Sequence, residues 1–297
     1  MTVPLEIIVN QFDVPPIVRS PRPGRASGVG IVNGQAPLVL NSVGTASGVG
    51  AALGISPGPY VASAVNWNFN NHPNIQISSL TATDSAQWSI SYWINGNIAR
   101  TAFNGAVLFV VDPASNFEPE GWASTTAQVK FYSQNTSSNR YWETFTAPGA
   151  SSGWNHFLYS VDTTNGPGSR VSALYINDVL TSRTTLDHDT GSGFNSPFSG
   201  KTFVFGDDAS GFSNLNTDVA DIWFAPNVSL LSMTTPGTID TSVRRQFIDG
   251  SGKPVNPSFF PSSAILFSGN ATTFPVNQGT GGSAILTGTI TNASSHP

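Results

Sequence analysis

The chain has 297 residues, of which only 10% are charged, against roughly 25% in ordinary soluble domains. A formal net charge of −5 with only three lysines, Lys130, Lys201 and Lys253, leaves no electrostatic footprint for nucleic acid. The absence of cysteine excludes disulfides, thiolate metal sites and a cysteine nucleophile. No apolar run approaches the ~20 residues that cross a bilayer, and Met1 to Val9 lacks the basic start and long apolar stretch of an export signal. The 29 Gly and 21 Pro disfavour long helices, while 19 Phe and 7 Trp supply a substantial core.

Leu5 to Val9 reads as a single strand, after which Pro15, Pro16, Pro21, Pro23 and Gly24 interrupt any ladder. Ala26-Ser27-Gly28-Val29-Gly30 recurs as Ala46-Ser47-Gly48-Val49-Gly50, small residues with no helical or strand period. Residues 1–64 therefore read either as a flexible linker or as an extended arm laid on a neighbouring subunit, and the arm is the working expectation. Residues 65–297 form the expected folded domain.

Strand signals are dense from Val65 onward. In Gln87 to Ile94, Trp88, Ile90, Tyr92 and Ile94 share one face and Ser89 and Ser91 the other, which is half-buried strand alternation. Gly105 to Asp112 is a continuous apolar run and predicts one fully buried strand. Trp154 to Asp162 and Val171 to Asp178 flank Asn165-Gly166-Pro167-Gly168 and read as a hairpin with a longer loop. Thr202 to Gly206 and Val219 to Phe224 add two strands, and Ser283 to Thr291 alternates as a closing strand. One short helix is expected, capped by Asp240 or Thr241, with Val243 and Phe247 facing the core and Gly250 ending it. Phe260 to Asn277 is loop-rich, with a strand over Ala264 to Phe267. Many short strands punctuated by Gly, Pro and Asn predict an all-β fold, an antiparallel β-sandwich of the jelly-roll type.

Five of these segments fall in the order seen in concanavalin A-like, laminin-G-like jelly rolls. They are Phe69 to Ile77, Trp88 to Ile94, Trp154-Asn155-His156-Phe157, Leu174-Tyr175-Ile176-Asn177-Asp178, and Asp218 to Phe224. Further on, Ile222 to Pro226, Arg244 to Asp249, Gly252 to Val255, and the stretch from Phe267 to Ala293 resemble the version of this domain found in tailed-phage virion proteins. The resemblance implies a virion surface component made in the host cytoplasm, either a head decoration protein or a tail fibre or tip protein. Homo-oligomers, trimers above all, contacts with other virion proteins through the N-terminal arm, and host-surface glycans as ligands are implied with it. The alternative is a secreted or cell-surface carbohydrate-binding module.

Catalysis is not expected. Jelly-roll glucanases project two or three carboxylates from one strand, a retaining pair about 5–5.5 Å apart. The glutamates here are Glu6, Glu118, Glu120 and Glu143, and none lies in such a pattern. His72, His156 and His188 have no nucleophile motif beside them, and His156 reads as structural. The family resemblance implies calcium at one rim, but Asn70 and Ala220 stand where the family usually has aspartate. Asp207, Asp208 and Asp221 remain as candidate oxygen ligands, so calcium stays open as a ligand, although a filled site is not predicted and no other cofactor is expected. Sugar recognition needs an aromatic plane beside polar side chains. Two clusters offer one: Asn116, Phe117 and Trp122, and Asn139, Arg140, Tyr141 and Trp142. The competing reading places these aromatics in the core or in a subunit contact.

Overall fold

A computed structural model describes residues 28–30, 38–40, 60–68, 73–96, 106–107, 109–111, 120–124, 128–136, 139–146, 153–165, 169–188, 194–206 and 215–297. The chain divides into two units, Met1–Tyr60 and Val61–Pro297. In the first, β1 (Gly28–Gly30) pairs antiparallel with β2 (Leu38–Leu40), where the sequence showed no strand period. The strand expected over Leu5 to Val9 lies outside the described residues.

The second unit begins with β3 (Val65–Trp67), β4 (Asn74–Ile77), β5 (Gln87–Asn95), β6 (Ala106–Val107), β7 (Phe109–Val111) and β8 (Glu120–Ser124). There follow β9 (Gln128–Thr136), β10 (Asn139–Thr146), β11 (Trp154–Asp162), β12 (Val171–Ile176), β13 (Val179–Leu180) and β14 (Arg183–His188). The series ends with β15 (Phe203–Phe205), β16 (Thr217–Pro226), β17 (Ile265–Phe267), β18 (Ile285–Thr287) and β19 (Thr291–Asn292). An eight-stranded sheet runs β13-β12-β11-β5-β16-β3-β19 with β17 also on β16. A five-stranded sheet runs β14-β10-β9-β8-β6, and a four-stranded one β18-β4-β15-β7. The pairings are antiparallel, and the architecture is a β-sandwich.

The core lies between the eight-stranded sheet and the other two. Trp88 of β5 is its hub, with ring centroids 6.4 Å from Phe109, 6.0 Å from Phe131, 5.0 Å from Tyr159 and 6.1 Å from Phe224. Phe131 of β9 stacks on Tyr159 of β11 at 3.7 Å, tying the five-stranded sheet to the eight-stranded one. Such a pair is worth about 1 kcal/mol beyond the area it buries. The run from Gly105 to Asp112 does not form one strand. Ala106–Val107 pairs with β8, and Phe109–Val111 pairs with β15 in a different sheet. Ser283 to Thr291 likewise splits, because Gly288 takes φ +76 and separates β18 from β19. Gly206, at φ +88, ends β15 where any Cβ would collide with the Trp67 indole, so only glycine fits.

The alternation expected in β5 holds, but its second face is not exposed: Ser89 is 0% and Ser91 1% exposed. Residues 228–261 fold over this outer face as a cap. Leu230, Ile239 and Phe247 pack there on Leu158, Ala173, Tyr175, Trp223 and Ala225. The serines stay satisfied because Leu230 N–H donates to Ser160 Oγ, which lies 2.9 Å from Ser89 Oγ, and Ser89 donates to the Val228 carbonyl at 2.8 Å. The expected helix is short. It covers Thr241–Arg244 (α1), and Phe247 reaches the core from the turn that follows.

Arg244 and Arg245 anchor this cap to the hairpin between β12 and β13. Asn177 (φ 52) and Asp178 (φ 66) make its two-residue turn, both in the left-handed region as a type I′ turn requires. Arg244 Nε donates to Asp178 Oδ1 at 2.6 Å and Arg245 Nη2 to Oδ2 at 2.7 Å. Partial burial alone would raise the Asp178 carboxyl, but the hydrogen bonds from Arg245 and Arg244 outweigh it and hold the group below its usual range. Asp178→Gly would relieve the backbone yet free both arginines. Urea unfolding is expected to show a net loss of about 1 kcal/mol. A gain in stability would show that the turn, not the ion pairs, dominates.

Candidate functional site

The strands β8, β9 and β10 bring the two aromatic segments of the sequence into one sheet. In register, Trp142 pairs with Tyr132, which pairs with Glu120, and Thr144 pairs with Lys130, which pairs with Trp122. Strand alternation therefore sends Tyr141, Glu143 and Phe145 inward and Trp142 outward. Tyr141 is 0% exposed, so its assignment to a glycan surface is corrected: it is a core residue. Trp142 and Tyr132 are half-buried, 6.5 Å apart and edge to face. Lys130 Nζ lies 5.4 Å from the Trp142 ring centroid, and the Trp142 indole N–H donates to Thr144 Oγ1 at 3.1 Å. The result is a half-buried indole with the Tyr132 ring perpendicular to it and an ammonium over one of its faces. Trp122, Asn139 and Arg140 lie in this sheet by backbone register, whereas Asn116 and Phe117 lie outside the described residues.

Directly behind this plane sits a group that sequence reasoning missed. Glu143 is 0% exposed and fully engaged: Oε1 accepts from Ser172 Oγ at 2.6 Å and from Arg183 at 2.8 Å, and Oε2 accepts from Tyr159 at 2.9 Å. The Tyr141 and Tyr159 hydroxyls are 2.9 Å apart. Burial first, and then the field of Glu143, pushes both phenols well above their ordinary value, so they stay neutral. A glutamate set between aromatics on an alternating strand was the available signal for this inward carboxylate.

A second polar group lies at one end of β5, β11 and β16. Asn66 and Asn95 donate to the two oxygens of Asp218 at 2.6 and 3.1 Å. Asn95 and the Trp154 indole both donate to Ser295 Oγ, at 3.0 and 3.2 Å. This set ties down the segment after β19.

The remaining candidates do not assemble into chemistry. Asp221 is buried at φ +44 in a β-bulge of β16 against β5, and its Oδ1 accepts from Ser268 at 2.7 Å. It is therefore a core residue and not a rim ligand, and the neighbouring Ala220 is buried against Trp93 on β5. Asn70, Asp207 and Asp208 lie outside the described residues. Among the described residues no three His, Cys, Asp or Glu side chains gather as a metal site, and no helix is long and apolar enough to cross a membrane.

His156 Nε2 is 2.8 Å from Ser91 Oγ, the separation of a nucleophile and its base. Yet both residues are only 1% exposed beneath the cap, and the Trp93 ring lies 4.8 Å from the imidazole. The Asp178 carboxylate, which could complete such a set, is held by two arginines.

No protein-family model matches the chain, and no characterised protein matches it in sequence. Among solved structures it is similar to the LG1–3 region of the laminin α2 chain, with 12% identity and a TM-score of 0.40 over 56% of this chain and 31% of that one. It is similar also to domains LG4–5 of the mouse laminin α1 chain, with 10% identity and a TM-score of 0.39 over 63% of this chain and 47% of that one. A SAP-like pentraxin from Limulus polyphemus aligns at 12% identity and a TM-score of 0.33 over 55% of this chain and 75% of that one. The chain thus spans about a third to a half of the length of the laminin fragments.

Burial lowers the His156 pKa from 6.5 to about 3, with Asp178 opposing weakly. Between those values the unfolded chain binds a proton that the folded chain refuses. Stability is therefore complete above pH 6.5 and falls as the pH drops toward 3, at up to about 1.4 kcal/mol per pH unit from this group. Urea melts at pH 7.0, 5.5 and 4.5 should show the decline, and His156→Gln should flatten it. An equal slope in both proteins would remove His156 as its source.

Proposed function

We propose that the chain is a non-catalytic saccharide-binding module displayed on the surface of a bacteriophage virion. The observation that carries this reading is the half-buried Trp142 indole, edge to face with Tyr132 and with Lys130 over its ring. An indole face packs against the C–H face of a sugar ring, and an ammonium supplies donors to hydroxyl or carboxylate oxygens. Supporting the absence of catalysis, the serine–histidine contact is closed off by the cap, and Glu143 has its oxygens engaged by neighbours. The virion setting rests on the sequence resemblance over 222–293, residues that build the cap and the strands β17 to β19. In this proposal residues 1–64 attach the module to other virion proteins and promote trimers. Repetition on a particle would then turn weak sugar contacts into avid attachment.

The reading has two separable tests. Glycan-array binding by the full chain should fall at least tenfold in Trp142→Ala, with a smaller loss in Lys130→Ala and both variants still unfolding cooperatively well above the assay temperature. Binding unaffected by Trp142→Ala would move the site elsewhere. Antibody labelling of intact particles by electron microscopy should decorate the head or the tail. Unlabelled particles would overturn the virion assignment and leave the saccharide site standing.

A further inference from the structure

Arg170 closes the loop that leads into β12 and is 4% exposed. At Thr163 the Oγ1 hydroxyl lies within hydrogen-bonding distance of the Ala86 and Phe194 carbonyls, and Phe194 N–H donates back to the Thr163 carbonyl at 3.1 Å. This seats the Arg170 guanidinium between the rings of Tyr141 and Phe194, each 5.9 Å from Cζ. Its Nε, Nη1 and Nη2 atoms are buried, and none has a hydrogen-bond partner among the described residues. Aromatic faces attract a cation electrostatically, but they leave five N–H donors in the guanidinium plane unsatisfied. An ion buried in this condition is strongly destabilising unless it is paired.

The neighbours cannot neutralise it. Glu143 is already committed to Ser172, Arg183 and Tyr159. Tyr141 and Tyr159 stay protonated. Among the described residues Glu143 is the one carboxylate facing Arg170, and it already pairs with Arg183 at the exposed sheet edge. Burial also pulls the Arg170 guanidinium below its ordinary value, and the Glu143 carboxylate offsets this only in part.

We infer that Arg170 binds a small inorganic monoanion of the halide class, held in the guanidinium plane between Tyr141 and Phe194. A water molecule would satisfy donors but not charge. The depth of the group favours an ion of single-atom size over a sugar carboxylate. Bound there, the anion would lock the loop before β12 and the Phe194 segment onto the inner face of β10, behind the saccharide plane.

The test is thermal unfolding of the full chain at constant ionic strength, with chloride replacing methanesulfonate. The melting temperature should rise by about 3 °C as chloride passes from well below to well above saturation. Arg170→Met, which keeps the side chain's length without its charge, should show no rise. Should that variant fail to fold, bromide-soaked crystals of the unaltered protein answer instead, with an anomalous peak within hydrogen-bonding distance of Arg170 expected. A melting temperature insensitive to chloride, an equal response in Arg170→Met, or crystals with no bromide peak at Arg170 would each overturn the inference.

Discussion

The buried carboxylate of Glu143 is the constraint around which the sandwich is organised. It stands on β10 of the five-stranded sheet and takes hydrogen bonds from Tyr159 on β11 and Ser172 on β12 of the eight-stranded one. Arg183 of β14 adds charge compensation from the sheet edge. A buried carboxylate is tolerable only where its oxygens find donors, so the two sheets have one relative register that avoids a large penalty. Apolar packing alone would allow small slips of one sheet over the other; this network does not. Because strand residues alternate faces, fixing Glu143 inward also fixes Trp142 outward. The candidate saccharide plane is thus set by a residue that never reaches solvent.

The eight-stranded sheet is covered on both faces, and this shapes everything near β5. Its inner face carries the Trp88 core, and its outer face lies beneath residues 228–261. Serine on that outer face would ordinarily meet water. Here Ser89 and Ser160 serve as hydrogen-bond relays to the cap backbone at Val228 and Leu230. Ser91 and His156, which in an open cleft would suggest hydrolysis, form an interior contact that favours the neutral imidazole. Arg244 and Arg245 secure the cap through Asp178, a residue whose turn geometry usually calls for glycine or asparagine. The departure from glycine there follows from the need for a carboxylate partner.

Much of the architecture was legible in the chain. The alternation of Trp88, Ile90, Tyr92 and Ile94, the hairpin of Trp154–Asp162 with Val171–Ile176, and the strands around Phe203, Val219 and Ile265 all appear as read. Local periodicity failed where one apolar run serves two sheets. Ala106–Val107 and Phe109–Val111 differ in partner and not in composition. It failed again at Gly288, where a backbone bend outweighs the alternation of Ile285 to Thr291. Tyr141 and Trp142 read in the chain as one candidate aromatic surface, but adjacent strand residues face opposite ways, so Tyr141 belongs to the core and only Trp142 stays on the outer face.

The sequence by itself determined the all-β character, the positions of most strands, and the lack of a catalytic carboxylate pattern, because these depend on residue type and short-range spacing. Tertiary structure alone decided that Glu143 is a clamp, that Ser91 and His156 are closed off, and that Arg170 is buried with no hydrogen-bond partner among the described residues. Those outcomes depend on which distant strand, loop or cap residue comes to lie against each side chain. Burial and hydrogen-bond partnership across more than sixty residues of chain, as between Ser91 and His156 or Ser89 and Val228, leave no periodic trace for local reading to find.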